Sequence, residues 1–436
     1  MRVLLALAAL LILFGVVKVI GAIGGKLAGS KETEAQTEAV TEVETEIETQ
    51  AVTKTISPFT MAFAGDVMFS EDALDSYEDR QLNGLFSPGV QEVFSNADFL
   101  MLNEEFPFGT GGTAADKQYV YEVDPSYVSI FQDMGVDVVS LANNHVLDYG
   151  ADVLKQTFSS LTTAGIKYTG AGNTVDEASS WQSFSLGGAN VAVLSASRVL
   201  PSATWSVESS QPGVFSAYDT TILVRQIKAA KQQNDLVVVY LHWGTEKTTT
   251  PEDYQREMAY ELIDAGADLI IGSHPHVLQG IEYYNGVPIV YSLGNLVFDE
   301  SMSQGAILTV DVDSSMNLTL KIVPIGASNY RTYVKDDDAA QEGLTFMESL
   351  STGITISEDG TVMIGSGSSN SSTSAQITET AGESAASAAA DTTAAQEADS
   401  SEEGAADAED AEVEEAEPAA EEAEPEADSS EEGAAG

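Results

Sequence analysis

The chain predicts an α/β fold over residues 58–366, and three observations predict it. Short apolar runs of strand length alternate with helical stretches. Two of those helical stretches stop at a glycine, Gly165 and Gly266, the residue that ends helices in left-handed backbone. The apolar runs end in polar residues able to bind a metal or a phosphate, which is where open α/β sheets carry their ligands.

Taken in order, Met1-Arg2 precedes an apolar run from Val3 to Val17, interrupted by Lys18 and extended to Gly25. Residues 1–30 are therefore expected to be a signal peptide or an N-terminal membrane anchor. The expected location is the outer face of the cell membrane, or the medium if the segment is cleaved. Residues 31–57 alternate Thr and Glu without building an apolar face and read as a solvated linker. Thr60 to Asp66 is a short strand ending in Gly65-Asp66, and Ala97 to Glu104 is another ending in a carboxylate. Pro125 to Met134 reads as a helix, followed by a strand from Val136 to Leu141 that runs into Asn143-Asn144-His145. A helix from Asp152 to Ala164, a strand from Val191 to Ser195 and a helix from Tyr218 to Gln233 follow. The strand Leu236–Leu241 ends at His242, and the helix Pro251–Ala265 leads to the strand Asp268–Ile271. That strand runs into Gly272-Ser273-His274-Pro275-His276; Val287 to Leu293 is the next strand and ends at Gly294-Asn295. Residues 305–323 look like strands without helices, at an edge or in a second sheet, and residues 328–365 show no clear pattern.

Composition removes several function classes. The 436 residues carry 69 Asp and Glu against 18 Lys and Arg, a formal charge of −51. No basic cluster is present to neutralise phosphates, so a nucleic-acid partner is not expected. Cysteine is absent, which excludes disulfides, zinc-thiolate sites, thiol catalysis and lipidation at cysteine. Residues 367–436 are an Ala, Ser, Glu and Asp tail; from residue 371 on there is no aromatic or basic residue, and disorder is expected.

The chain has four histidines, His145, His242, His274 and His276, and each stands near the end of an apolar run. With Asp66, Glu104, Asn144 and Asn295 they form a set of strand-end carboxylates, amides and imidazoles. Such donors suit Mn, Fe or Zn, one ion or two, and a bridging carboxylate can clamp a pair. In extended backbone His274 and His276 would point the same way, because strand side chains repeat with period two. Glu246 is either a partner behind the ligands or a solvated loop carboxylate.

Ala-Gly-Asp66-Val-Met, Asn103-Glu104, Leu-Ala-Asn143-Asn144-His145-Val-Leu-Asp148, His242-Trp243-Gly244-Thr-Glu246, Gly-Ser-His274-Pro-His276 and Leu-Gly294-Asn295-Leu-Val-Phe298-Asp299 occur in that order. The series resembles the successive motifs of the CapA family of capsule (poly-γ-glutamate) synthesis proteins, a branch of the calcineurin-like metallophosphoesterases. The resemblance implies a four-layer α/β/β/α sandwich with a two-metal centre at the strand ends. It implies that Asp66 and His276 bind one metal, that Asn144, His242 and His274 bind the other, and that Glu104 bridges them. It makes His145 the general acid, oriented by Asp148, and leaves Asn295 and Glu246 as candidates for substrate contact. One departure is plain: Met68 stands where the superfamily carries a histidine, and a thioether is a poor ligand for hard divalent ions. The implied function is a membrane-anchored extracellular protein of capsule or poly-γ-glutamate biosynthesis or export, working as a metal-dependent hydrolase of the phosphoesterase type. The alternative is a non-catalytic accessory subunit. The implied partners are a cell-envelope polymer or its precursor and membrane-bound capsule synthase subunits.

Overall fold

A computed structural model describes residues 54–207 and 211–365. The expected N-terminal signal or anchor, all but the last residues of the Thr/Glu linker and the acidic tail lie outside the described residues. Among the described residues no helix is long and apolar enough to cross a membrane.

The first half of the domain contributes β1 (Phe59–Val67), β2 (Phe99–Glu104), β3 (Val138–Ser140), β4 (Lys167–Thr169) and β5 (Ala171–Gly172). The middle contributes β6 (Gln182–Leu186), β7 (Ala189–Ser197), β8 (Gly213–Val214), β9 (Leu236–His242) and β10 (Leu269–Ser273). The last part contributes β11 (Leu278–Tyr284), β12 (Val287–Leu293), β13 (Asn295–Val297), β14 (Met302–Val312), β15 (Leu318–Ser328) and β16 (Arg331–Val334), then a small hairpin of β17 (Ile354–Ile356) and β18 (Val362–Ile364).

Two sheets result. One runs β16-β15-β14-β1-β2-β3-β4, with β13 also pairing β1; the other runs β11-β12-β10-β9-β7-β6. Both are parallel at the centre, from β1 to β4 and from β7 through β9 and β10 to β12, and antiparallel toward the β16, β11 and β6 edges. The parallel strands are apolar on both faces because both faces are covered. Phe63, Met101 and Val138 of the first sheet meet Val193, Val238, Ile271 and Val290 of the second in a shared core. On its other face the first sheet packs Leu100, Leu102 and Val139 against helical residues such as Phe94, Phe131 and Leu154. The second sheet packs Val239, Ile270 and Ile289 against Leu223 and Ile227 of the helix Thr221–Lys231 and Leu262 of the helix Asp253–Ala265. The layers are therefore α/β/β/α, the expected sandwich.

The expected helices and strands are found with ends shifted by a few residues. The unread stretch after residue 328 holds β16, a helix at Asp337–Leu350 and the small hairpin. Helices at Glu71–Arg80, Leu82–Leu85 and Pro88–Ser95 were not anticipated; Ser70 and Ser87 cap two of them, their hydroxyls accepting from the N–H groups of Ala73 and Val90. The strands at residues 305–323 prove to be β14 and β15, between β1 and the edge strand β16 of the first sheet.

Candidate metal centre

The site is built where the C-terminal ends of the two sheets face each other. Along β1, Met61 and Phe63 point into the shared core while Ala62 and Ala64 point toward the helices. Continued alternation would aim Asp66 at the helices. Instead the pairing with β2 slips by one residue, from Phe63 opposite Met101 to Asp66 opposite Asn103. Such a bulge turns the next side chain to the other face. Asp66 is thereby buried between the sheets, where Oδ1 accepts from Asn103 Nδ2 at 2.8 Å and Oδ2 from the His274 backbone N–H at 3.1 Å.

The second carboxylate is Glu105, and the expectation at Glu104 is corrected. Phe99 and Met101 of β2 face the shared core, and Leu100 and Leu102 face the helices. Glu104 follows the even residues and Glu105 the odd ones. Glu105 Oε2 accepts from Asn103 Nδ2 at 3.3 Å, and its Oε1 lies 3.5 Å from His242 Nε2 and 3.8 Å from His276 Nε2. Neither oxygen of Glu104 has a partner, and burial pushes its carboxyl well above the usual range.

The second sheet brings the imidazoles. His242 ends β9 and is fully buried, with Nε2 2.7 Å from Asn144 Oδ1 and Nδ1 3.0 Å from Ser273 Oγ. β10 ends at Ser273, and the two histidines beyond it are not extended: φ is 97° at His274 and 55° at His276. The period-two argument for their shared direction is thus corrected. A turn of left-handed residues brings them together, with ring centroids 6.0 Å apart and those of His242 and His274 4.7 Å apart. His276 Nδ1 lies 2.8 Å from Asn295 Oδ1, so donation there leaves Nε2 toward Glu105. Burial, reinforced by the neighbouring imidazoles, holds His242 well below the ordinary histidine value and His274 at about 3. These two rings are neutral, the protonation state a metal ligand requires.

Behind Asn144 lies a second cluster. His145 Nδ1 is 2.8 Å from Asp148 Oδ2, and the ring stacks on Tyr121 with centroids 4.4 Å apart. Burial lowers the His145 pKa against the opposing pull of Asp148. Lys117 places its ammonium 2.6 Å from Asp148 Oδ1 and 3.1 Å from His145 Nδ1, and burial lowers its pKa. Asn143 is a turn residue: its Oδ1 accepts from the His145 and Val146 N–H groups, and its Nδ2 donates to Asn103 Oδ1 and the Glu104 carbonyl. Met68 is half-buried against the helix-side core.

Three groupings have donor atoms within 4.8 Å of one another: Asp66, Glu105 and His276; Glu105, His242 and His274; and Glu246, His274 and His276. Glu105 belongs to two of them. Buried Glu105 Oε1 and His274 Nδ1 have no hydrogen-bond partner. Carboxylate and neutral imidazole donors left unsatisfied at this spacing fit a divalent transition ion. Glu105, Lys117 and Tyr121 were missed in the sequence, and Asn103 and Asn143 stood in its motifs without a role. Strand parity could have found Glu105, whereas Lys117 and Tyr121 lie in a loop with no periodic signal.

Residues 60–300 match the sequence model of the family described as bacterial capsule synthesis protein PGA_cap. The PGA biosynthesis protein CapA of Bacillus subtilis (strain 168) is 35% identical over 246 residues, 56% of this chain and 64% of that one. The capsule biosynthesis protein CapA of Bacillus anthracis is 31% identical over 277 residues, 61% and 67% of the two chains. A probable polyglutamine synthesis accessory protein of Mycobacterium tuberculosis (strain ATCC 25618 / H37Rv) is 30% identical over 257 residues, 54% and 67%. The match thus spans roughly two thirds of these relatives. The solved 5'-nucleotidase from Candida albicans SC5314 superposes with a TM-score of 0.37 and 12% identity over 62% of this chain and 52% of that one, too loose a likeness to argue from. The family match covers more than half of the chain and contains every residue of the metal-donor cluster, and the chain belongs to the bacterial capsule synthesis protein PGA_cap family.

Proposed function

We propose that this domain is a metal-dependent hydrolase of the phosphoesterase type that acts on a capsule polymer of the poly-γ-glutamate kind or on its precursor. The observation that carries the reading is Glu105, a buried carboxylate shared by two donor groups at the meeting edge of both sheets. Asp66, Glu105 and His276 would hold one ion, and Glu105, His242 and His274, with Asn144, the other. Bound there, divalent ions supply Lewis acidity toward a phosphoryl or amide oxygen and a hydroxide near neutral pH. The residues of the chain do the rest. Asp148, ion-paired with Lys117 and accepting from the Tyr121 N–H at 2.8 Å, would orient His145 through Nδ1. His145 Nε2 is then left to give a proton to a leaving oxygen or nitrogen. A cavity of about 290 Å³ adjoins His276 and Asn295, bordered by Thr249, Gln304, Met302 and Phe346, and would offer a seat of mixed polarity for one end of the substrate. Asn295 would act there as a positioning group, holding His276. The apolar N-terminal run would keep the domain at the outer face of the membrane, beside capsule synthase subunits.

A second reading is favoured by Met68, which supplies no donor. In it the protein is a non-catalytic accessory subunit of the synthase. Purified chain stripped with chelator and reloaded separates the two. The hydrolase reading expects bound Mn²⁺ or Zn²⁺ by elemental analysis, turnover of a generic phosphodiester or a γ-glutamyl amide, and loss of both on His242→Ala. Metal without turnover of either substrate class supports the accessory reading; no metal at all sinks both the centre and the hydrolase.

A further inference from the structure

The loop after β9 carries a carboxylate that the scheme above leaves unused. Glu246 is exposed, and among the described residues it forms no ion pair. An exposed acid near a histidine is common, so its placement decides the matter. The backbone of its loop is stitched to the His274–His276 turn: the Trp243 N–H donates to the Ser273 carbonyl at 3.1 Å and the Lys247 N–H to the Pro275 carbonyl at 2.8 Å. Gly244 takes φ 89° and Lys247 φ 58°, and a Cβ on Gly244 would sit 3.1–3.2 Å from the side chains of Gln255 and Pro275. The loop is thus fixed on the turn that carries the imidazoles. A Glu246 oxygen and one nitrogen each of His274 and His276 lie within 4.8 Å of one another. Independently, His274 is only 5% exposed, and its buried Nδ1 has no partner.

We propose that Glu246 is a metal ligand on the open side of the centre, adding a carboxylate donor beside the His274 and His276 imidazoles. The proposal rests on the metal reading of the site. Charge supports it. Two divalent ions against Asp66 and Glu105 alone would leave two net positive charges; Glu246 brings this to one, suited to an anionic group arriving from solvent. Being exposed, Glu246 is also the donor that an incoming group can displace without opening the core.

The test uses the full chain, stripped with chelator, and Mn²⁺ alone as the probe, followed by calorimetric titration and by the spin resonance of free Mn²⁺. Wild type is expected to bind a tighter and a weaker equivalent. Glu246→Gln should leave the tighter one in place and weaken the other by about tenfold or more, the scale at which losing a coordinating or supporting group acts. It should also lower the rise in Tm that Mn²⁺ produces. Lys247→Ala, the exposed neighbour, should match wild type. Wild-type stoichiometry and affinities in Glu246→Gln would overturn this role while leaving the centre intact. A wild-type chain that binds no Mn²⁺ would overturn both this role and the reading beneath it.

Discussion

Glu104 is wholly buried on the helix side of β2, with no partner for either oxygen, and burial raises its pKa well above the usual carboxylate value of 4.5. The folded state therefore keeps a proton that the unfolded chain releases once pH passes about 4.5, so the side chain weakens folding as pH rises toward its raised value. Glu104→Gln removes that ionisation. It should raise Tm at pH 8 by a few degrees, the shift that about 1 kcal/mol produces in a domain of this size, with less gain at pH 5. Mn²⁺ binding should survive Glu104→Gln and be lost in Glu105→Gln. Scanning calorimetry in chelator and a Mn²⁺ titration check the pair, and loss of binding in Glu104→Gln instead would return the bridge to the residue the motif suggested. The types of the candidate donors were legible in the sequence because four histidines at strand ends leave few alternatives. The choice between two adjacent glutamates was not, because it depends on which face of β2 each residue takes. Asp66 was legible as a residue, but its direction depends on a bulge that has no signature in the sequence.

At the scale of elements, the loops that carry the candidate donors are set by close backbone approaches. A Cβ on Gly272 would lie 2.0 Å from the Tyr291 carbonyl oxygen and 2.2 Å from Trp243 Nε1. Trp243 Nε1–H donates to that same carbonyl at 2.9 Å, tying β9 to β12 across β10. Gly272→Ala cannot be absorbed by rotating a side chain, since one of the two contacts is backbone. It should cost about 3 kcal/mol, the upper end of ordinary overpacking. Urea unfolding should show a lower midpoint at unchanged slope. Mn²⁺ affinity should fall as well, because the His274–His276 turn begins two residues on; a variant with wild-type midpoint and affinity would show that the strand can shift freely. Strands such as Leu236–His242 and helices such as Asp253–Ala265 could be read in advance from long apolar or periodic runs and a glycine stop. The helix Asp337–Leu350 was not, since it is fixed by burying Leu344 and Met347 against the shared core, a tertiary contact that no local pattern announces.

At the scale of the molecule, the centre exists only when the two sheets are packed. Asp66, Glu105 and Asn144 come from the first sheet and its loops, His242, His274 and His276 from the second. The Tyr240 hydroxyl donates to the Ala64 carbonyl at 2.8 Å and pins the sheets just behind the site. Stability should therefore carry the signature of the buried ligands. In the metal-free chain His242 and His274 stay neutral where an unfolded histidine gains a proton below about 6.5, so they weaken folding as pH falls through that value, His274 until about 3. Glu104 and Glu105 act in the opposite sense and weaken folding as pH rises above 4.5; at Glu105 burial leads and Asp66 adds to it. Between about 4.5 and 6.5 the two effects oppose each other, one proton set against another. In chelator Tm should be highest in that weakly acidic interval and fall on both sides. Mn²⁺ requires ionised Glu105 and neutral imidazoles, so it should raise Tm more at pH 8 than at pH 5 and move the optimum toward alkaline pH. Calorimetry at pH 4, 5.5, 7 and 8, with chelator and with Mn²⁺, measures both trends. A metal-free Tm still rising from pH 5.5 to 8, or a Mn²⁺ effect larger at pH 5, would show that these buried carboxylates and imidazoles do not govern the stability of the domain.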